Sequence, residues 1–198
     1  MTIVIGLTGC IATGKSTVAK MFKQEGIPIV DADQLSRTIV EPEQPAYRQI
    51  VEVFGRDILL PDQTLDRKKL AQLIFNDAVK RQTLNQIVHP AITDRLLYER
   101  DQLIAAKHQY IVLDIPLLYE NDLTHLIDVV VVVFTTPEQQ LQRLMARDQL
   151  SEQEASKRIQ SQISIEQKVQ WADYVIDNSK TLAHTEASFK QLLQQFKH

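Results

Sequence analysis

An α/β fold built on a parallel sheet is what this sequence predicts, and three observations predict it. Apolar runs at Ile3 to Leu7, Ile27 to Val30, Tyr110 to Leu113, Val129 to Phe134 and Tyr174 to Ile176 are separated by stretches of helical periodicity, the pattern of strands joined by helical crossovers. The run DVVVVVF, residues 128 to 134, has no period-two alternation, as expected of a strand covered on both faces. Three of the five glycines fall within residues 6 to 17, directly after the first apolar run.

The first strand leads into GLTGCIATGKST, and Val18, Met21 and Phe22 then mark one helical face up to a stop at Gly26. The second strand ends at Val30 and the third starts at Tyr110, a gap far longer than an ordinary crossover. Helical spacing recurs inside it: Tyr47, Ile50, Val51 and Phe54 before Gly55, then Leu70, Leu73 and Ile74 after Asp66, then Ile92, Leu96 and Leu103 after Pro90. Residues 36–108 therefore read as an inserted helical lobe, with PEQP at its entrance and LPDQT as an internal loop; residues 1–35 and 109–198 read as the core. Past the fourth strand, Thr136-Pro137-Glu138-Gln139 and Ser151-x-x-Glu154 are helix-start signals flanking Asp148 to Leu150, which predicts a small helical lid over about residues 139–170. Phe189, Leu192, Leu193 and Phe196 give the last helix one face for packing on the sheet.

The chain has 198 residues, 44% of them hydrophobic and 24% charged, enough for one globular domain with a full core. A net charge of −3 argues against nucleic acid as the main partner, since backbone binding relies on clustered Lys and Arg. A single cysteine makes no internal disulfide, and no apolar run approaches a membrane span. The expectation is a cytoplasmic protein that handles an anionic small molecule with a few placed cations, without nucleic acid or membrane. The sequence says nothing of oligomeric state.

Leu7-Thr8-Gly9-Cys10 has the look of a lipoprotein processing site, but no Lys or Arg precedes Lys15 and the apolar run is too short for an export signal. The competing reading fits its context: Gly9, Gly14, Lys15 and Ser16 spell G-x-x-x-x-G-K-[ST] between a strand and a helix, a loop whose backbone amides wrap a phosphate chain. Gly9, Ala12, Thr13, Gly14, Lys15, Ser16 and Thr17 are the candidate nucleotide contacts. Lys15 is a point charge for the β and γ phosphates, and Ser16 an oxygen ligand for Mg²⁺. Cys10 has two readings, a reactive thiol beside cationic groups or a small residue that fits the turn.

Ligands of open α/β sheets gather at the carboxyl ends of the strands. Asp31 and Asp33 follow the second strand, and Asp33 is read either as the base for an attacking hydroxyl or as the N-cap of a helix from Gln34. Arg37, one turn on, is a candidate for a substrate phosphate. Asp114 directly follows the third strand, where a carboxylate reaches magnesium through water; Asp128 precedes the fourth and reads as structural. Arg143 and Arg147, four apart on one helix face, are candidates to close over ATP, with Lys157 and Arg158 next along the chain.

The order and spacing of IGLTGCIATGKSTVA, IVDADQLSR, VHPAI, VLDIPLLYEN, DVVVVV, QLQRLMARDQLSEQEASKRIQSQ and ADYVIDN resemble the dephospho-coenzyme A kinases over nearly the whole chain. The resemblance implies a phosphate-loop kinase fold with five parallel strands in spatial order 2-3-1-4-5, a helical substrate lobe and a lid. It implies transfer of a phosphoryl group from ATP, with Mg²⁺, to the ribose 3′-hydroxyl of dephospho-coenzyme A, the last step of coenzyme A synthesis. By position, Asp33 is the general base. His89 and the segment Pro116 to Glu120, with Leu117, Leu118 and Glu120, face dephospho-coenzyme A on the same side as Asp31 and Arg37. Arg143 and Arg147 belong to the lid over ATP. The loop departs from the family's common G-G-I-G-S-G-K-S in carrying Cys10, Ala12 and Thr13, and alanine or cysteine resists positive φ.

Three rivals remain. A related nucleotide or small-molecule kinase shares the same loop. A GTP-dependent switch lacks its segments here, because Ile-Pro-Leu follows Asp114 and DNSK reverses the guanine-reading order. A catalytically dead coenzyme A sensor is opposed by the intact Lys15, Ser16 and Asp33.

Overall fold

The computed structural model describes residues 2–75 and 77–196. Each apolar run forms a strand: Ile3–Gly9 (β1), Ile29–Asp31 (β2), Tyr110–Asp114 (β3), Val129–Phe134 (β4) and Tyr174–Asp177 (β5). All are parallel, in the order β2-β3-β1-β4-β5, as the phosphate-loop kinase resemblance implies. Most run beyond their apolar stretch into polar residues, so Gly9, Asp31, Asp114 and Asp177 line the carboxyl edge of the sheet.

The helices among the described residues are Lys15–Gln24 (α1), Ala32–Thr38 (α2), Pro45–Phe54 (α3), Arg67–Phe75 (α4), Ala78–Ala105 (α5), Pro137–Asp148 (α6), Glu152–Gln160 (α7), Ile165–Trp171 (α8) and Leu182–Phe196 (α9). Their starts follow local chemistry. The Thr136 hydroxyl accepts the Gln139 N–H ahead of α6, and Ser151 and Glu154 exchange hydrogen bonds in a full capping box at α7. Two expectations fail here. A helix boundary at Pro90 does not exist, because α5 runs straight through it. Pro90 supplies no N–H to the carbonyl of Gln86, a loss that an exposed position lets water offset. Helix α2 begins at Ala32, so Asp33 lies inside its first turn and is not the N-cap.

The chain divides into two compact units, one holding residues up to Asp31 with those from Arg100 onward, the other Ala32–Glu99. In the first, Ile5, Leu7, Val112, Val131, Val133 and Ile176 of the sheet bury against Val18 and Phe22 of α1 and Phe189 and Leu192 of α9. Phe22 meets Phe189 edge to face at 4.8 Å, an arrangement that contributes about 1 kcal/mol beyond the area it buries. Asp128 accepts the Val4 N–H at 2.8 Å and Asp173 the Val130 N–H at 2.7 Å, so both carboxylates close the amino edge of the sheet. In the second unit Ile50, Ile58, Leu65 and Leu70 form a separate small core. No helix of the described residues is long and apolar enough to cross a membrane.

Candidate active site

The strand β1 sits between β3 and β4, and the turn that leaves it is the loop from Gly9 to Gly14. Gly14 has φ +92°, and a Cβ there would run into the Asn178 side chain, so glycine is required twice over. At Gly9 a Cβ would lie 2.7 Å from Thr13 Oγ1 and 3.0 Å from the Val133 carbonyl. Ala12 takes φ +63°, the left-handed region that alanine resists. No side chain caps α1, and an uncapped helix N-terminus favours anions.

Lys15 opens α1 and forms an ion pair with Asp114 at the end of β3, with both side chains largely shielded from water. Asp114 is in register with Leu7 of β1 and Asp31 of β2. The structure thus gathers Lys15, exposed Ser16, Asp31 and Asp114 at one end of the sheet. Thr17 turns back on the loop, its N–H donating to the Gly14 carbonyl at 2.9 Å.

Asp33, Arg37 and His89 belong to the other compact unit. Asp33 and Arg37 are exposed on α2, Asp33 two residues along the chain from Asp31. His89 is exposed on α5 beside an open cleft of about 520 Å³ that Arg81, Gln82, Asn85, Gln86 and Pro90 also line.

Several expected contacts take another form. The Thr13 side chain is fully buried, its hydroxyl donating to the Cys10 carbonyl at 2.9 Å and its N–H to the same oxygen at 3.2 Å. Leu117 is exposed, whereas Leu118 has no exposed surface and packs near Gly6. The Glu120 carboxylate accepts from Lys168 at 2.8 Å and from the Ile163 N–H at 3.1 Å. Cys10 is buried and its thiol donates to the Ile163 carbonyl at 3.2 Å. Burial pushes this thiol up to about 11, against the opposing pull of the Lys168 charge, which disfavours the thiolate that a reactive cysteine needs.

In the region expected to form a lid, Arg143 donates to the Asn178 carbonyl at 3.0 Å, while Arg147 pairs with Asp148 at 2.8 Å. Asp148 also takes Arg158 at 3.0 Å, and hydrogen bonding from Arg147 draws its carboxyl below the usual range. Sequence reasoning missed the residues that hold the loop from outside. Asn178 Nδ2 donates to the Thr13 carbonyl at 2.7 Å while its Oδ1 accepts the Thr185 hydroxyl at 2.9 Å. Gln162 accepts the Ile11 N–H and Gln140 donates to the Ile11 carbonyl, both at 2.8 Å. Asn178, Gln140 and Gln162 lie in stretches that carry the resemblance, yet a neutral amide has no charge or spacing pattern to announce such a task.

The dephospho-CoA kinase family model matches residues 3–184. This chain belongs to the dephospho-CoA kinase family. It is 51% identical over 193 residues to the dephospho-CoA kinase of Bacillus licheniformis, covering 98% of this chain and 96% of that one. Among solved structures, the Thermus thermophilus protein TT1252 superposes with a TM-score of 0.83 at 31% identity, covering 98% of this chain and 97% of its own. The dephospho-CoA kinase from Campylobacter jejuni gives 0.76 at 29% identity with the same coverage. The family implies ATP as co-substrate and dephospho-CoA as acceptor.

Proposed function

We propose that this protein transfers the γ-phosphoryl group of ATP to the ribose 3′-hydroxyl of dephospho-CoA, with the residue roles that follow. The observation that carries the assignment of roles is the uncapped start of α1 with Lys15 paired to Asp114, which itself stands level with Asp31 across the sheet edge. The amides of the loop and of the first turn of α1 bind the phosphate chain, and Lys15 adds the charge that follows the β and γ phosphates. Asp33 accepts the proton of the 3′-hydroxyl as its oxygen attacks phosphorus; the bond to the bridging β–γ oxygen breaks, and ADP departs with that electron pair. Arg143 and Arg147 stabilise charge on the phosphates, and Arg37 and His89 hold the acceptor, whose body lies in the helical lobe of residues 36–108.

Magnesium fits the donor set. Ser16 and Asp114 offer hard oxygens, and no group of three His, Cys, Asp or Glu residues among the described residues competes as a protein cage, consistent with an ion held largely by phosphates and water. When bound, it neutralises phosphate charge. Glu120 acts through its partners and not on the acceptor directly. A cytoplasmic location accords with a biosynthetic kinase of this kind.

The test is ADP formation with saturating ATP, comparing dephospho-CoA with nucleoside monophosphates and with no acceptor. Turnover that requires dephospho-CoA is expected; preference for a nucleoside monophosphate would assign the chain to a related kinase activity.

A further inference from the structure

Lys168 on α8 has no exposed surface. An ammonium group there is tolerated only when paired and hydrogen-bonded. Its Nζ lies 2.8 Å from Glu120 Oε1 and 3.0 Å from Oε2, and donates to the Pro116 carbonyl at 3.3 Å. That same carbonyl accepts the hydroxyl of Thr8, the residue before the loop's first glycine, at 3.1 Å. Glu120 in turn takes the Ile163 N–H at 3.1 Å, Ile163 takes the Cys10 thiol at 3.2 Å, and Gln162 takes the Ile11 N–H at 2.8 Å. A buried charge pair thus ties the connector between α7 and α8 to both the start of the phosphate loop and the turn after β3.

The loop has reason to need such support. Ala12 sits at φ +63°, which costs an alanine roughly 1–2 kcal/mol, and a strained conformation persists only where its surroundings over-determine it. Gln162 holds the Ile11 N–H and Gln140 the Ile11 carbonyl, so the planar peptides on both sides of Ile11 are fixed. The backbone is thereby committed immediately ahead of Ala12.

We propose that Lys168 is a positioning residue for nucleotide binding. Paired with Glu120, it seats residues 161–164 against the phosphate loop, and Gln162 then holds Ile11 so that Ala12 keeps the left-handed turn that brings the loop amides onto phosphate. The proposal rests on the reading of the loop as the ATP site. It assigns the pair to the nucleotide, although Glu120 follows the exposed Leu117 on the segment expected to face the acceptor.

The experiment measures equilibrium binding of a non-hydrolysable ATP analogue and the KM for dephospho-CoA in wild type, Lys168→Met, Glu120→Ala and Gln162→Ala, with thermal melts as a check on folding. Each variant is expected to bind the analogue about tenfold more weakly, because a buried group loses its partner, while the KM for dephospho-CoA stays within about twofold. Adding Ala12→Gly to Lys168→Met is expected to restore part of the affinity, measured well below the melting temperature where both variants are fully folded, since glycine adopts the turn unaided; a role confined to global stability would lower the melt and leave the affinity of the folded protein at the wild-type value. Unchanged analogue affinity in folded variants overturns the proposal, as does a raised dephospho-CoA KM alone, which would place the pair in acceptor binding. Should Lys168→Met fail to fold, Gln162→Ala, whose side chain is only half-buried, decides in the same way. Wild type that did not bind the analogue would instead refute the nucleotide reading on which the proposal stands.

Discussion

The phosphate loop and the helices of the proposed acceptor side are built in opposite ways. Around the loop, backbone groups of Cys10, Ile11 and Thr13 are held by side chains or by one another, with Asn178, Gln140 and Gln162 reaching in from distant parts of the chain. On the proposed acceptor side, Asp33, Arg37 and His89 stand exposed on α2 and α5, with no side-chain hydrogen bond or ion pair among the described residues. The proposed nucleotide end is organised by contacts within the protein itself. With the roles proposed above, the acceptor end leaves its reacting groups open, and binding of the acceptor would supply the contacts that order them. Electrostatic stabilisation by fixed dipoles requires the first arrangement, whereas recognition of a large flexible substrate is served by the second.

The comparison can be broken most severely at Asp33. Asp33→Asn is expected to lower kcat by about 10²- to 10⁴-fold, the usual range for a general base, while the melt and the affinity for an ATP analogue remain those of wild type. Near-normal turnover in the folded variant would move the proton to another group. Lys15→Ala should lower kcat/KM by about 10²- to 10³-fold, on the scale of other fixed stabilisers of developing charge. Unlike the first variant it should weaken ATP-analogue binding as well, because the ammonium meets the phosphates in both ground and transition states. Retained affinity would show that the loop does not hold the triphosphate through this residue.

Smaller effects sharpen the contrast. His89→Ala is expected to raise the KM for dephospho-CoA about tenfold, the worth of one charge-assisted or buried hydrogen bond, with the KM for ATP little changed; equal effects on both would make His89 a strut of its lobe. Ala12→Gly should raise the free energy of unfolding by up to about 1 kcal/mol, since relief of left-handed strain outweighs the extra freedom of glycine in the unfolded chain. Denaturant titration reads this directly. A loss of stability would mean that the surrounding anchors already make φ +63° comfortable for alanine.

How far each region was legible from the sequence follows the same division. The sheet could be read because strands buried on both faces leave unbroken apolar runs, and Val129 to Phe134 appears at the expected boundaries. The phosphate loop could be read because glycine, lysine and serine at fixed spacing have few other uses between a strand and a helix. The continuity of α5 was not legible. Pro90 is a strong local breaker, yet packing along twenty-eight residues of helix overrides one missing hydrogen bond. Asn178, Gln140, Gln162 and Lys168 were not legible either, because their partners are backbone groups or a carboxylate brought near only by the fold. The burial of Leu118 beside exposed Leu117 was not legible either, because an irregular turn gives no periodicity from which to tell which of two leucines faces inward.

The central claim, that this kinase phosphorylates the ribose 3′-hydroxyl of dephospho-CoA, is tested most directly by the product itself. Phosphorus NMR of a reaction run to completion with ATP and dephospho-CoA should show one new phosphomonoester, coupled to the ribose 3′ proton and equal in amount to the ADP formed. ADP without that resonance, or a phosphate on any other oxygen, would contradict the account.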